Sequence, residues 1–176
     1  MDTYETLLTR RSCRAYDPDR PVDRETLEKV VEAGRFAPSG MGRQPVHFVV
    51  VTDRATRDRL SRMNAAIMGS SADPFYEAPA VIVVLVDDQV PTSQDDGALA
   101  LGNLMNAAHA LGVESCWIHR AEEEFDSAEG RELLSQWGLP ADGSLRGIGH
   151  CILGYAPAGA PAPSAKPRKE NVIWVD

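Results

Sequence analysis

Basic residues are in short supply: Lys+Arg number 18 against 26 Asp+Glu, a formal net charge of −8 at pH 7. A chain this acidic is repelled as a whole by nucleic-acid backbones and anionic membrane surfaces. Neither is expected as a partner, and any anionic ligand must be held by a local cluster of cations. Cysteine is scarcer still. Cys13, Cys116 and Cys151 are an odd number at unrelated spacings, which excludes a disulfide framework and fits reduced thiols in the cytoplasm. Long apolar runs are missing: none approaches the roughly 20 residues needed to span a bilayer. Met1-Asp2-Thr3-Tyr4 has no basic region followed by an apolar one. There is no Gly-x-Ser-x-Gly nucleophile elbow and no Gly-x-Gly-x-x-Gly dinucleotide loop. His47, His109, His119 and His150 show no ligand spacing, and Cys116-x-x-His119 alone does not make a zinc site, so no metal is expected.

What is present is a chain of 176 residues, enough for one domain with its own core, read as residues 1–176 with a C-terminal arm over 165–176. Asp2, three residues ahead of Glu5, heads a short helix that runs to the arginines at Arg10. Pro18 and Pro21 break the chain, and Asp23 caps a second helix with Leu27, Val30, Val31 and Gly34 at helical spacing. After a strand at Phe48–Val51, residues 53–63 keep Leu60 and Met63 on one side and form a third helix. Residues 64–76 are small, polar and glycine-containing, and are expected to be a flexible segment near the mouth of a site. Ala80–Val86 is a continuous β-branched run, the pattern of a central strand covered on both faces.

Residues 95–111 carry Ala98, Leu101, Met105, Ala108 and Leu111 at helical spacing with almost no charge after Asp96. That predicts a helix buried nearly all round and, in so short a chain, packing against a second copy. Cys116–Ile118 is a short strand; Glu122–Glu124 reads as a solvated face leading into a helix over 127–137. Ile148–Tyr155 is the last core strand, its glycines allowing close approach by another backbone or a ligand. The Ala, Gly and Pro of 156–164 form an extended arm carrying strand-like Asn171–Val175, placed to join a neighbour's sheet.

The run Ala37-Pro38-Ser39-Gly40-Met41-Gly42-Arg43-Gln44-Pro45 is richer than a connection between helix and strand requires. Its prolines fix φ, its glycines let backbone pass close to a partner, and Ser39, Arg43 and Gln44 supply hydrogen-bonding groups. Upstream stands Arg10-Arg11-Ser12-Cys13-Arg14, downstream Lys166-Pro167-Arg168-Lys169. In their order and spacing, over nearly the whole chain, Arg10 to Tyr16, the Pro38–Pro45 loop and the Lys-x-Arg tail resemble the FMN-dependent nitroreductase family.

The resemblance implies an α+β fold in which a mixed, mostly antiparallel central sheet is flanked by helices, within a homodimer that exchanges its C-terminal strand and holds two FMN molecules. Arg10, Ser12, Lys166 and Arg168 would hold the phosphate and adjacent ribityl, since arginine forks suit phosphate oxygens and lysine adds a point charge. Arg14 would face the N1 and O2 edge of the ring, where a cation stabilises the reduced, anionic flavin. Arg11 would serve one contact or the other. Pro38, Ser39, Gly40 and Gln44 would approach from the partner subunit, without the asparagine the family often has where Gly42 stands. Cys116, Trp117, Ile118 and His119 occupy the segment that covers one face of the ring. Trp117 reads equally as core, and His119 equally as a polar residue ending a strand. The implied function is ping-pong hydride transfer from NAD(P)H through flavin N5 to a nitroaromatic or quinone-like acceptor, with no catalytic side chain required. The alternatives are a specialised family chemistry (reductive dehalogenation or metabolite oxidation), a flavin-binding sensor or carrier without turnover, and a basic-tailed adaptor, against which the net charge counts.

Overall fold

The computed structural model describes residues 2–161 and 163–176; Met1 and Ala162, the latter inside the proline-rich arm, lie outside them. Three helices begin where an aspartate can cap them. Asp2 accepts the Glu5 amide at the start of α1 (Thr3–Thr9), while Asp23 and Asp53 accept both amide and hydroxyl of Thr26 and Thr56 at α2 (Arg24–Arg35) and α3 (Arg54–Met68). The remaining elements are β1 (Val46–Val51), β2 (Ala80–Asp87), α4 (Ser93–Ala110), β3 (Glu114–Ile118), α5 (Ala121–Asp126), α6 (Ala128–Gln136) and β4 (Leu145–Gly154). The four strands pair antiparallel in the order β1-β2-β4-β3, and Ser12 adds an isolated parallel bridge to Ser115. The architecture is the expected α+β sheet flanked by helices.

Strand periodicity divides the interior in two. Val81, Val83 and Leu85 pack with Leu60 and Met63 of α3, Phe125 of α5 and Leu133 and Leu134 of α6. Ala80, Ile82 and Val84 point the other way, onto Leu27 and Val30 of α2 and Leu101, Leu104 and Ala108 of α4. The two helices of that second layer approach closely at Gly34, where a Cβ would stand 2.6 Å from the Leu104 side chain. Each such apolar side chain contributes about 1.5–3 kcal/mol relative to exposure.

Three expectations need correction. The third helix does not stop at Met63: Asn64 and Ala65 fall on its buried face, and it ends at Gly69, whose φ of 68° suits a left-handed cap. The segment after it is not loose, because the Asp73 carboxylate accepts from Arg57, Ser61 and the amides of Phe75 and Glu77. The acidic run is not uniformly solvated, since Glu124 is fully buried. Within one protomer helix α4 leaves Leu99 50 % exposed, and residues 102, 103, 106 and 107 are half-buried. Residues 171–175 form no strand within the protomer and stand in water, Ile173 being 88 % exposed.

Candidate functional site

Two clefts gather most of the residues singled out by sequence. The first, about 230 Å³, opens beyond the end of β3 and is lined by Arg14, Met68, Ala72, Asp73, Pro74, Tyr76 and the whole of Cys116–Arg120. Trp117 stacks on His119 with ring centroids 5.4 Å apart and planes inclined by 27°, which gives the cleft an aromatic wall. Gly149 makes room for it. A Cβ there would lie 2.3 Å from the Trp117 Nε1, so the indole rests directly on β4. That Nε1 is itself buried without a hydrogen-bond partner among the described residues. Cys116 and Ile118 are buried, His119 is exposed.

The arginine cluster reaches this region on a strap that leaves α1 at Arg10. The Cys13 amide donates to the Ser115 carbonyl at 3.0 Å beside the Ser12–Ser115 bridge, and the Tyr16 hydroxyl donates back to the Cys13 carbonyl at 3.1 Å. Arg10 is half-buried, and its Nη1 is buried without a hydrogen-bond partner among the described residues. Arg11 is spent locally, its Nη1 donating to the carbonyls of Leu8 and Arg10. Arg14 is exposed at the cleft. Burial pushes the Cys13 and Cys151 thiols above their ordinary values, so neither is a thiolate nucleophile. Lys166 and Arg168 lie on the exposed tail and line neither cleft.

The second cleft, about 220 Å³, is lined by Pro38, Ser39 and Gln44 together with Gly34, Arg35, Ala37, Val46, Phe48 and Asp96. It shares no residue with the first. The loop is held internally by the Gln44 amide donating to Ser39 Oγ at 3.0 Å, and Met41, Gly42 and Gln44 all adopt positive φ. Its external anchor is Asp96 on α4, buried, which accepts the Gly40 amide and the Thr92 hydroxyl, each at 2.9 Å. Gly40 is required there, because a Cβ would stand 2.3 Å from Thr92 Oγ1. Sequence reasoning passed over Asp96 as the last charge before an apolar helix; the Asp95–Asp96 pair in that helix's first turn was the available signal.

Behind the first cleft lies a network that composition did not disclose. Asn64 donates to the His119 carbonyl at 2.7 Å and to the Glu124 carboxylate, His150 Nε2 meets the same Glu124 oxygen at 3.0 Å, and Arg120 Nε donates to Asn64 Oδ1 at 2.9 Å. Asp73 lines the same cleft. Burial opposes its charge, but hydrogen bonds from Arg57, Ser61 and two backbone amides outweigh that and hold its carboxyl below the usual carboxylate range. The described residues contain no cluster of three or more His, Cys, Asp or Glu that could hold a metal ion.

A model of the Nitroreductase family matches residues 7–74, the stretch that holds the arginine strap and the loop. A protein of Archaeoglobus fulgidus, named provisionally as an NADH dehydrogenase/NAD(P)H nitroreductase, is 35 % identical over 79 % of this chain and 78 % of its own length. The chain belongs to the nitroreductase family. Solved members share its architecture throughout: a nitroreductase with bound FMN from Bacteroides fragilis has a TM-score of 0.90 at 28 % identity, covering both chains completely. Another with bound FMN, from Desulfitobacterium hafniense, has a TM-score of 0.84 at 26 % identity over the same full coverage. The nitroreductase fold thus accounts for the antiparallel sheet and its two helical layers.

Proposed function

We propose that this nitroreductase is an FMN-dependent, NAD(P)H-oxidising enzyme, one domain over residues 1–176 acting as a homodimer in the cytoplasm. The observation that carries the reading is Arg10: a buried guanidinium N–H without a partner costs about 1–3 kcal/mol, and a phosphate oxygen satisfies it with a charge-assisted bond. The other residues fit the same group. Arg14 supplies a cation at the cleft, Trp117 an aromatic face seated on Gly149, and Ser12 a hydroxyl on the strap.

In this reading Arg10 and Ser12, with Lys166 and Arg168 of the tail, bind the phosphate and ribityl; Arg11 backs them at the end of α1. Arg14 faces the pyrimidine edge. The segment Cys116–His119 covers one face of the ring and keeps water from it. Held by these residues, FMN would supply the redox chemistry, taking hydride from NAD(P)H and passing electrons to a nitroaromatic or quinone-like acceptor in a separate half-reaction. Pro38, Ser39, Gly40 and Gln44 complete the site from the partner subunit, which explains why their cleft is separate from the first within one protomer. Support for the dimer comes from apolar surface that the described residues leave open, Leu99 on α4 at 50 % exposure and Val172–Val175 on the tail. Strand β1 is an edge of the sheet, open to a fifth strand from a second copy's residues 171–175.

Anaerobic titration of the purified protein tests the proposal. A yellow protein whose flavin band is bleached by NADH or NADPH and restored by a nitroaromatic or quinone is the expected result. Flavin that binds but is not bleached would make it a carrier, and a protein that takes up no FMN overturns the reading altogether.

A further inference from the structure

Arg120 stands on the wall of the first cleft in a left-handed conformation, φ 76°, and is held there from behind. Its Nε donates to Asn64 Oδ1 at 2.9 Å. That amide has no freedom to turn: its nitrogen is committed to the His119 carbonyl and to Glu124, and Asn64, Glu124 and His150 are all fully buried. The guanidinium is therefore fixed along one edge. Its two terminal nitrogens have no hydrogen-bond or carboxylate partner among the described residues, in contrast to the buried Arg57, whose nitrogens meet Asp58, Asp73 and the Ala78 carbonyl. The cleft's own acid does not neutralise it either, because the Asp73 oxygens are taken by Arg57, Ser61 and backbone amides.

Resting on the function proposed above, we infer that Arg120 is a specificity residue that binds the oxyanion of the acceptor, and that preferred acceptors are aromatic rings carrying a carboxylate. A planar fork with both terminal N–H pairs unspent matches a carboxylate in two parallel hydrogen bonds, and the rigid Asn64 anchor spares the entropy of holding it. Tyr76, in the same cleft as Arg120, offers the acceptor ring an aromatic neighbour. The pyrophosphate of NAD(P)H is a second source of the same oxyanion chemistry, so the two half-reactions must be read separately.

FMN-loaded wild type, R120Q and R120K are compared with 4-nitrobenzoate and nitrobenzene as acceptors, with NADPH reduction followed on its own, and with calorimetric binding of benzoate to the oxidised protein. In R120Q the ratio of kcat/KM for 4-nitrobenzoate to that for nitrobenzene falls about 10- to 100-fold, mostly through KM, and benzoate binding weakens by a similar factor, as loss of a charge-assisted pair requires. R120K recovers part of both. An unchanged ratio overturns the inference, as does a loss expressed mainly in reduction by NADPH, which would assign Arg120 to the nucleotide, or in FMN retention, which would assign it to the cofactor. A wild type that takes up no FMN sinks both readings; a flavin-loaded wild type with no preference for the anionic acceptor sinks this one alone.

Discussion

Two apolar runs of similar composition meet opposite fates in this protein. Strand β2, Ala80–Asp87, has helices on both faces and a strand hydrogen-bonded along each edge, and its apolar side chains from Val81 to Val86 are wholly buried. Val172-Ile173-Trp174-Val175 has neither, and is between 71 and 93 % exposed. Residue type alone thus does not decide burial; the number of neighbours the chain can bring does. The tail residues each forgo about 1.5–3 kcal/mol while they stand in water, which a second protein surface recovers.

Deletion of the tail should have the largest effect. Removing residues from Ala165 onward takes away the apolar run and the Lys166 and Arg168 cations together, and the expected product is a destabilised dimer without flavin, read by light scattering at low micromolar concentration and by absorbance. A full-length monomer that still holds FMN would contradict the shared-site reading. Next in size, Ile82→Ala should lower unfolding free energy by about 2–5 kcal/mol at every protein concentration, as a cavity in a sealed core does. Ile173→Ala should instead show its loss as a midpoint that depends on protein concentration. Denaturant melts at two concentrations distinguish them, and identical behaviour would mean the tail is packed within its own protomer.

A smaller effect is expected of Arg10→Ala and Arg168→Ala, each weakening FMN retention by about 1.5–3 kcal/mol, because the buried strap and the exposed tail are proposed to share one phosphate. Equilibrium dialysis that finds FMN affinity unaltered in both variants removes the phosphate from this place. The smallest change concerns the ordered rim. Asp73 is held below the usual carboxylate range, so its stabilisation is present above the unfolded value of about 3.9 and is lost as pH falls through the lower folded value. Protection of the Phe75 and Glu77 amides against hydrogen exchange should therefore decline below about pH 4 in the wild type, with Asp73→Asn lacking that decline. A flat profile down to pH 3 in the wild type would detach Asp73 from the order of this segment.

Local signals in the sequence were reliable wherever the physics is local. Asp2 and Asp23 announced their helices because a cap is a contact over three residues, and β2 announced itself because both its faces are apolar. Illegible were the contacts made across long separations. Glu124 looks like its neighbours Glu122 and Glu123, yet its partners Asn64 and His150 lie 60 and 26 residues away. Asp96 likewise binds Gly40 at a separation of 56. Extension of α3 past Met63 was foreshadowed by Gly69, a cap residue that small polar neighbours obscured. Of the candidate site, the motifs nominated the residues; their division between two clefts, a strap and an exposed tail came from the fold.

The parallel bridge between Ser12 and Ser115 has a consequence for the order of assembly. The arginines of the strap find their seat only after β3, far downstream of them, has been made and paired with β4. A nascent chain consequently carries its cationic strap undocked until β3 and β4 have emerged, and flavin capture waits on closure of the sheet.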